Sequence, residues 1–290
     1  MHRPVAIAVH GGAGNLARYK GTGRLEEAYA FLEQHITLWH TMLCDGVSAL
    51  DVACESVRAL EDIGYFHAGK GSSPNDNGYV ELDASIMRGS DRAAGAIAAV
   101  RTPKNPIDVA RYIMEQTQQV LMVASEADTL ITREGFATVD ASYFVPCDEV
   151  GAALPSTGTV GAVVLDRDGE IVAATSTGGT LRKRAGRVGD APIIGAGTYA
   201  IGGLGAVSCT GVGEYFLRTS AASRILARVE LLGEHISTAT GTILTEIVHL
   251  GGDGGMIALD HRGTIAMPFS TSGMYRAAVD ATSSVTVGCL

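Results

Sequence analysis

Two groups of predicted strands and helices, separated by a stretch without hydrophobic periodicity, most limit how this chain can fold. The first group has strands at residues 5–9, 79–87 and 94–100 and helices at residues 25–43, 48–61 and 105–122. The second has strands at residues 160–165, 171–176, 206–209, 256–259 and 264–267 and a helix at residues 213–232. Because strands and helices do not alternate regularly, this order predicts a layered α+β domain rather than a parallel sheet wound by helices.

Residues 138–158 separate the two groups, and their Asp, Pro, Ser and Gly content predicts a surface linker. Glycine fills 37 of the 290 positions, about twice its usual share of ~7%. The glycines follow no collagen repeat, so they predict many tight turns and close backbone contacts. Residues 10–14 (HGGAG) are predicted to be such a loop, with His10 serving its hydrogen bonds.

Charge and composition exclude several classes of protein. The chain has 22 Lys and Arg against 31 Asp and Glu, a net charge of −9, which disfavours binding to nucleic acids and to anionic membranes. No apolar run reaches the ~18 residues of a membrane span, and residues 1–4 start no secretory cleavage pattern, so a cytoplasmic location is expected. The five cysteines, which include Cys147, do not have the spacing of metal ligands. They are predicted to be buried and to pack as small hydrophobic residues.

The linker meets the next predicted strand at Gly158 and Thr159. If the chain were cut between them, Thr159 would carry a free α-amino group with a reference pKa of ~7.7 to 8.0. That amine could act as general base for the hydroxyl of the same residue, which solves the problem that an alcohol is a poor nucleophile near neutral pH. Threonine is also common at strand starts, so this joint alone does not establish a function.

Three later segments carry polar residues at the ends of predicted strands or in turns. Residues 174–179 (ATSTGG) end a strand with hydroxyl groups, and residues 208–214 (SCTGVGE) join a strand to a helix through glycines. Arg187 and Asp190 place a cation and an anion three residues apart. Each segment also has an ordinary structural interpretation, because hydroxyls decorate strand ends and close Arg and Asp residues often form solvated pairs.

Eight segments in order along nearly the whole chain resemble the plant-type L-asparaginase and isoaspartyl peptidase family of N-terminal nucleophile (Ntn) hydrolases. They are AVHGGAG at 8–14, ELDASIM at 81–87, GTVGA at 158–162, ATSTGG at 174–179, GRVGD at 186–190, GAG at 195–197, SCTGVGE at 208–214 and GMYR at 273–276. The resemblance implies a four-layer αββα sandwich forming a single domain over residues 1–290. It further implies self-cleavage between Gly158 and Thr159 into an α subunit (1–158) and a β subunit (159–290), which assemble as an (αβ)2 heterotetramer.

The resemblance also assigns catalytic roles. Thr159 would be the nucleophile and, through its amine, the base, while Thr177 would hydrogen-bond and tune it. Thr210 and Gly211 would form the oxyanion hole. No organic cofactor is implied.

The implied substrate is a β-aspartyl amide, either a β-aspartyl dipeptide or asparagine. Arg187 would bind its α-carboxylate, because a guanidinium matches the two oxygens of a carboxylate. Asp190 would bind its α-ammonium, with the backbone of Gly211 and Gly213 nearby.

Family members bind sodium through the backbone carbonyls of one loop. The residues that correspond here are Leu60, Glu61, Phe66 and Ala68. Within this loop His67 replaces the usual asparagine, either as a tolerated substitution or as a change that alters substrate choice and titrates near neutral pH.

Three functions are compatible with these residues. The first is hydrolysis of β-aspartyl dipeptides together with L-asparagine. The second is the same chemistry restricted to one class of dipeptide, such as a basic one derived from cyanophycin. The third is a binding or assembly protein whose catalytic site has drifted, suggested by His67 and the short linker.

Overall fold

A computed structural model describes residues 4–145 and 158–290. Within these two ranges the chain forms two sheets and seven α-helices, which confirms the α+β prediction. The strands are β1 (Ala6–Gly14), β2 (Leu82–Arg88), β3 (Ala94–Val100), β4 (Leu121–Val123), β5 (Val160–Leu165), β6 (Ile171–Thr177), β7 (Thr198–Ile201), β8 (Gly205–Gly211), β9 (Gly254–Asp260), β10 (Ile265–Ala266), β11 (Gly273–Val279) and β12 (Val285–Gly288). The helices are α1 (Arg24–Cys44), α2 (Ala49–Asp62), α3 (Pro106–Gln116), α4 (Ala124–Arg133), α5 (Gly213–Thr219), α6 (Ala221–Leu232) and α7 (Ile236–His249).

The larger sheet has eight strands in the order β12-β11-β1-β5-β6-β2-β3-β4, and the smaller has four in the order β10-β9-β8-β7. All neighbouring strands are antiparallel except β3 and β4. Strand β5 begins one residue after Thr159 and lies between β1 and β6 in the middle of the large sheet. The N-terminal end of the second half of the chain is therefore held on both sides by hydrogen-bonded strands.

Three apolar clusters form the core. One packs α1, α2 and α3 against the large sheet, a second packs α6 and α7 against the small sheet, and a third lies between the sheets. Strand β1 shows how the sequence serves two of them: Ile7 and Val9 belong to the first cluster, and Ala6 and Ala8 to the third. Successive side chains on a strand point to opposite faces, so a strand buried on both faces reads as a continuous apolar run.

The starts of α2 and α3 follow the capping rules. The Ser48 hydroxyl accepts a hydrogen bond from the Asp51 amide at 3.1 Å and begins α2, and Pro106 stands in the first turn of α3. Both starts are where the sequence predicted them, as is the hairpin between β5 and β6.

Several predicted boundaries are wrong. Residues 10–14 are not a loop but part of β1, which continues through a bulge because Gly12 takes φ +108°. The helix predicted to reach residue 122 ends at Gln116, and β4 follows it at the sheet edge. The helix predicted for residues 213–232 is split by Ser220, which has a left-handed φ of +48°. Helices α4 and α7 and strands β4, β7, β11 and β12 were not predicted.

The predicted linker starts within the described residues with a short 3-10 turn at Ala141–Tyr143, and its residues 146–157 lie outside them. Cys54, Cys209 and Cys289 are buried as predicted and Cys44 is half-buried, while Cys147 lies outside the described residues. Among the residues described, no helix is both long and apolar enough to cross a bilayer.

Candidate active site

Thr159 lies at the entrance of β5 with only 6% of its surface exposed. The Thr159 hydroxyl donates to Oγ1 of Thr177, the last residue of the neighbouring strand β6, at 3.2 Å. The two threonines that the sequence singled out are thus adjacent because β5 and β6 are hydrogen-bonded neighbours.

The Thr177 hydroxyl contacts both sides of the joint. It donates to the Gly158 carbonyl oxygen at 2.8 Å and accepts from the Gly179 amide at 2.9 Å. Since its single proton is used on the Gly158 oxygen, it must accept the proton of Thr159. The joint therefore has a hydroxyl donor on the carbonyl that an attack by Thr159 would convert to an oxyanion.

Close backbone contacts surround the joint. A Cβ on Gly12 would lie 3.1 Å from the Gly158 Cα, so the bulge of β1 packs directly on the joint. A Cβ on Gly158 would lie 2.5 Å from the ring of His67, which is buried. The His67 carbonyl accepts from the Gly178 amide at 2.8 Å. His67 therefore contacts the joint and the Thr177 turn, and any other residue at position 158 would collide with its ring.

The side chain of Thr210, at the end of β8 in the small sheet, reaches the neighbourhood of the Gly158–Thr159 joint. Its Oγ1 accepts a hydrogen bond from the Ala13 amide at 3.2 Å, next to the Gly12 bulge. The following residue, Gly211, has φ +144°, and a Cβ there would lie 2.4 Å from the Asp253 carbonyl oxygen. Only glycine allows the two backbones to pass this closely.

Arg187 and Glu214 form a bidentate ion pair. The guanidinium donates from Nε and Nη2 to the two carboxylate oxygens, each at 2.8 Å. This hydrogen-bonded pairing with Arg187 lowers the pKa of Glu214. Glu214 lies inside the family segment at 208–214, but no role was predicted for it, because its partner Arg187 is 27 positions away in the sequence.

Asp190 lies beside Arg187 but does not form the solvated pair that is common for such spacing. Its side chain is buried, and its Oδ2 has no hydrogen-bond partner within the part of the chain that the structure describes. Burial raises its pKa to about 7. A Cβ on Gly213 would lie 2.7 Å from Asp190 Oδ1 and 3.1 Å from Arg187 Nη2, so the Thr210 segment joins both sets of residues into one site.

A buried lysine supports the turn that carries Arg187. Lys183 donates from Nζ to the Glu81 carbonyl oxygen at 3.0 Å, and the Glu81 carboxylate accepts from the Gly186 amide at 2.9 Å. Burial lowers the pKa of Lys183. The family segment at residues 81–87 is thus tied to the segment at 186–190, a link that the sequence did not reveal.

The loop expected to bind sodium folds tightly over the end of α2. Gly69 has φ +50°, and a Cβ there would lie 2.6 Å from the Glu61 carbonyl oxygen. The Phe66 carbonyl accepts from the Ala68 amide at 2.8 Å, and the Ala68 carbonyl accepts from the Gly71 amide at 3.2 Å. The Leu60 side chain is buried in the core. In residues 4–145 and 158–290 no cluster of three His, Cys, Asp or Glu side chains could hold a metal.

The chain is similar to known proteins over most of its length. A family model described as "Asparaginase" matches residues 3–152 and 150–289. The chain is 42% identical to the isoaspartyl peptidase of Salmonella typhimurium, covering 93% of this chain and 94% of that protein. It is 41% identical to the isoaspartyl peptidase of Escherichia coli, covering 93% and 91%, and 36% identical to a probable isoaspartyl peptidase/L-asparaginase of Arabidopsis thaliana, covering 93% and 94%. This chain therefore belongs to the isoaspartyl peptidase/L-asparaginase family.

Proposed function

We propose that this chain is a threonine-dependent hydrolase that cuts itself between Gly158 and Thr159 and then hydrolyses the β-aspartyl amide bonds of isoaspartyl dipeptides and L-asparagine. The observation that carries the proposal is the arrangement of three oxygens at the joint, with Thr159 Oγ1, Thr177 Oγ1 and the Gly158 carbonyl oxygen in one hydrogen-bonded row. The names of the relatives support the substrate class.

Self-cleavage would begin with attack of the Thr159 hydroxyl on the Gly158 carbonyl carbon. Thr177 would stabilise the resulting oxyanion, since its hydroxyl already donates to that oxygen at 2.8 Å. The C–N bond breaks as the proton released by the attacking hydroxyl is transferred to the nitrogen of Thr159, leaving an ester between Gly158 and the threonine oxygen. Water then hydrolyses the ester, giving a carboxylate on Gly158 and a free amine on Thr159.

The mature reaction would use the same hydroxyl on the substrate. The α-amine of Thr159 takes the hydroxyl proton, and the oxygen attacks the β-carbonyl carbon of the substrate. The bond between that carbon and the substrate nitrogen then breaks as the α-ammonium of Thr159 returns the proton to this nitrogen, which releases the amino acid or ammonia. Water then attacks the aspartyl ester, releasing aspartate. The Thr210 hydroxyl and the Gly211 amide would donate hydrogen bonds to the oxyanion of this reaction. Donors of this kind typically lower the activation free energy by ~3 kcal/mol each.

Arg187 and Asp190 would select the substrate by its amino-acid end. Glu214 holds the Nε and Nη2 edge of the guanidinium and leaves Nη1 for the α-carboxylate of the substrate. Asp190 would receive the α-ammonium on its unpaired Oδ2, which compensates the cost of burying that carboxylate. With both charged groups of the substrate bound there, its β-carbonyl is left to face Thr159.

We extend the proposal to the architecture and the sodium ion. The three apolar clusters, one on the outer face of each sheet and one between the sheets, support the αββα layering. The tight turn at Gly69 and Gly71 packs against the carbonyl oxygens of Glu61 and Phe66. Together with the carbonyls of Leu60 and Ala68 they would be the sodium ligands, since a hard cation prefers oxygen. The (αβ)2 assembly stays a prediction of the resemblance.

The substrate assignment is tested by comparing two dipeptides of the same composition, one with a β-aspartyl bond to leucine and one with the ordinary α-aspartyl bond. We expect kcat/KM for the β-linked dipeptide to exceed that of the α-linked one by at least ~10²-fold. Both dipeptides have a free α-ammonium on the aspartyl residue, but in the α-linked one the α-carboxyl group is used in the peptide bond. Equal rates would contradict the proposal. A strong preference for a β-aspartyl dipeptide of arginine over that of leucine would favour the restricted enzyme.

The raised pKa of Asp190 predicts a pH dependence of substrate binding. Asp190 must be ionised to bind the α-ammonium, and its pKa in the free enzyme is about 7 because of burial, so we expect KM to rise as the pH falls below 7, up to tenfold per unit. Bound ammonium would lower that pKa, so kcat should lack this dependence. A KM that stays constant between pH 5.5 and 8 would show that Asp190 does not bind the ammonium.

A further inference from the structure

A row of buried polar side chains crosses the space between the two sheets beneath the candidate site. His10, Ser85 and Thr175 come from the large sheet, and Thr198 and Ser208 come from the small sheet. All five are fully buried. Polar groups in an otherwise apolar layer are costly unless they are paired, so their arrangement needs a physical explanation.

The five side chains are joined end to end. His10 Nε2 lies 3.0 Å from Ser208 Oγ, which lies 2.7 Å from Thr175 Oγ1. Thr175 Oγ1 is 2.6 Å from Thr198 Oγ1, which is 2.7 Å from Ser85 Oγ. The row ends where the Ser85 hydroxyl, at 2.6 Å, and the Thr198 hydroxyl, at 3.2 Å, reach the carbonyl oxygen of Ala191.

Pairing explains how these polar groups can be buried. The Thr198 hydroxyl donates to Thr175 Oγ1, and the Ser85 hydroxyl lies between Thr198 Oγ1 and the Ala191 carbonyl oxygen, to which it donates. Burial lowers the pKa of His10 to about 3, which keeps the ring neutral. Each of the five side chains therefore has a hydrogen-bonding neighbour, and the row closes on the Ala191 carbonyl.

The two ends of the row lie at the two halves of the candidate site. At one end a Cβ on Gly161, two residues after Thr159, would lie 2.1 Å from Ser208 Oγ and 2.6 Å from His10 Nε2. At the other end Ala191 directly follows Asp190. The Asp190 carbonyl accepts from the Ile193 amide at 2.9 Å, so the Ala191 carbonyl belongs to the turn that orients Asp190.

We propose that this hydroxyl row is a positioning device that fixes the Asp190 turn relative to the strand carrying Thr159, and so sets how tightly the amino-acid end of the substrate binds. Its members are positioning residues because they act through Asp190. The inference rests on the proposed function for its kinetic consequence, whereas its structural consequence, a rigid Asp190 turn, can be measured without substrate.

The test removes the central hydroxyl with Thr198→Val, which keeps the shape and breaks three contacts. We expect KM for the β-aspartyl dipeptide to rise roughly five- to tenfold, the effect of about one buried hydrogen bond, with kcat changed less than ~threefold. Amide hydrogen exchange, followed by mass spectrometry, should become faster in residues 190–197. Thr198→Ser keeps a hydroxyl and should recover most of both effects.

The matched control is Thr240→Val, which removes a fully buried hydroxyl that donates to the Ile236 carbonyl at 2.9 Å within α7, away from the row. It should lower the melting temperature without changing KM or exchange at 190–197.

Unchanged exchange in Thr198→Val, or equal exchange effects in Thr198→Val and Thr240→Val, would overturn the inference. If exchange at 190–197 is faster in Thr198→Val but the wild-type enzyme hydrolyses no β-aspartyl substrate, only the proposed function is rejected. If Thr198→Val does not fold, Ser85→Ala breaks the contact nearest Ala191 and is measured in the same way.

Discussion

Thr159→Ala should leave the chain as a single 30.0 kDa polypeptide. Wild-type protein should instead give fragments of roughly 16 and 14 kDa, the smaller beginning at Thr159, because cleavage uses the hydroxyl of that residue. The variant loses the attacking oxygen but keeps the Thr177 hydroxyl on the Gly158 carbonyl. We expect hydrolysis of β-aspartyl dipeptides to fall by at least ~10⁴-fold, since nucleophile and base are lost together. Intact mass and the N-terminal sequence of the fragments measure the first effect.

Two variants control this result. Thr159→Ser keeps a hydroxyl and should still cleave, more slowly. Thr177→Val keeps the nucleophile but removes the donor to the Gly158 oxygen, so cleavage should slow by on the order of 10²- to 10³-fold, as for loss of one oxyanion donor. If Thr159→Ala were cut at the same bond as wild type, the nucleophile would have to be another group. If wild type also stayed intact, the drifted binding protein would become the better interpretation.

How far the sequence could predict this site depends on whether its contacts are local or distant. Thr159 and Thr177 were identified from segments that a hairpin brings together, and hairpins are visible in sequence. The pairing of Arg187 with Glu214 and the row from His10 to Ser85 join distant parts of the chain, so no local pattern reports them. His10 was expected to serve its own loop, yet it bonds to a residue 198 positions away.

The fold shows the same division. Helix α2 and the β5–β6 hairpin were predicted because capping, periodicity and turn residues agree there. Helix α7 was missed because four threonines and Gly241 give it a weak intrinsic preference for helix, and packing against the small sheet decides its structure. The break at Ser220 was missed because the apolar pattern continues through it. Ser220 takes a left-handed conformation, which a serine in a helical pattern does not indicate.

Replacing Arg187 should separate substrate recognition from self-cleavage. Arg187→Ala removes the guanidinium offered to the substrate α-carboxylate but leaves the Thr159–Thr177–Gly158 row unchanged, so the chain should still be cut. We expect kcat/KM for the β-aspartyl dipeptide to fall on the order of 10²- to 10³-fold, because the substrate α-carboxylate would be bound without the guanidinium that pairs with it. Arg187→Lys should recover little of it, since an ammonium cannot bind Glu214 and the substrate through two edges of a planar fork.

The role of Arg187 can be isolated by pairing the variant with an altered substrate. Wild type should hydrolyse a β-aspartyl analogue that lacks only the α-carboxylate 10²- to 10³-fold less efficiently than the complete dipeptide. Arg187→Ala should hydrolyse the two substrates with efficiencies that differ by less than ~tenfold, because the variant and the analogue delete the same interaction. Glu214→Gln is the matched control: it keeps an acceptor for Nε or Nη2 and should cost less than ~tenfold. Undiminished discrimination by Arg187→Ala would place the α-carboxylate elsewhere. Loss of self-cleavage in that variant would mean that the Arg187 turn supports the joint as well as the substrate.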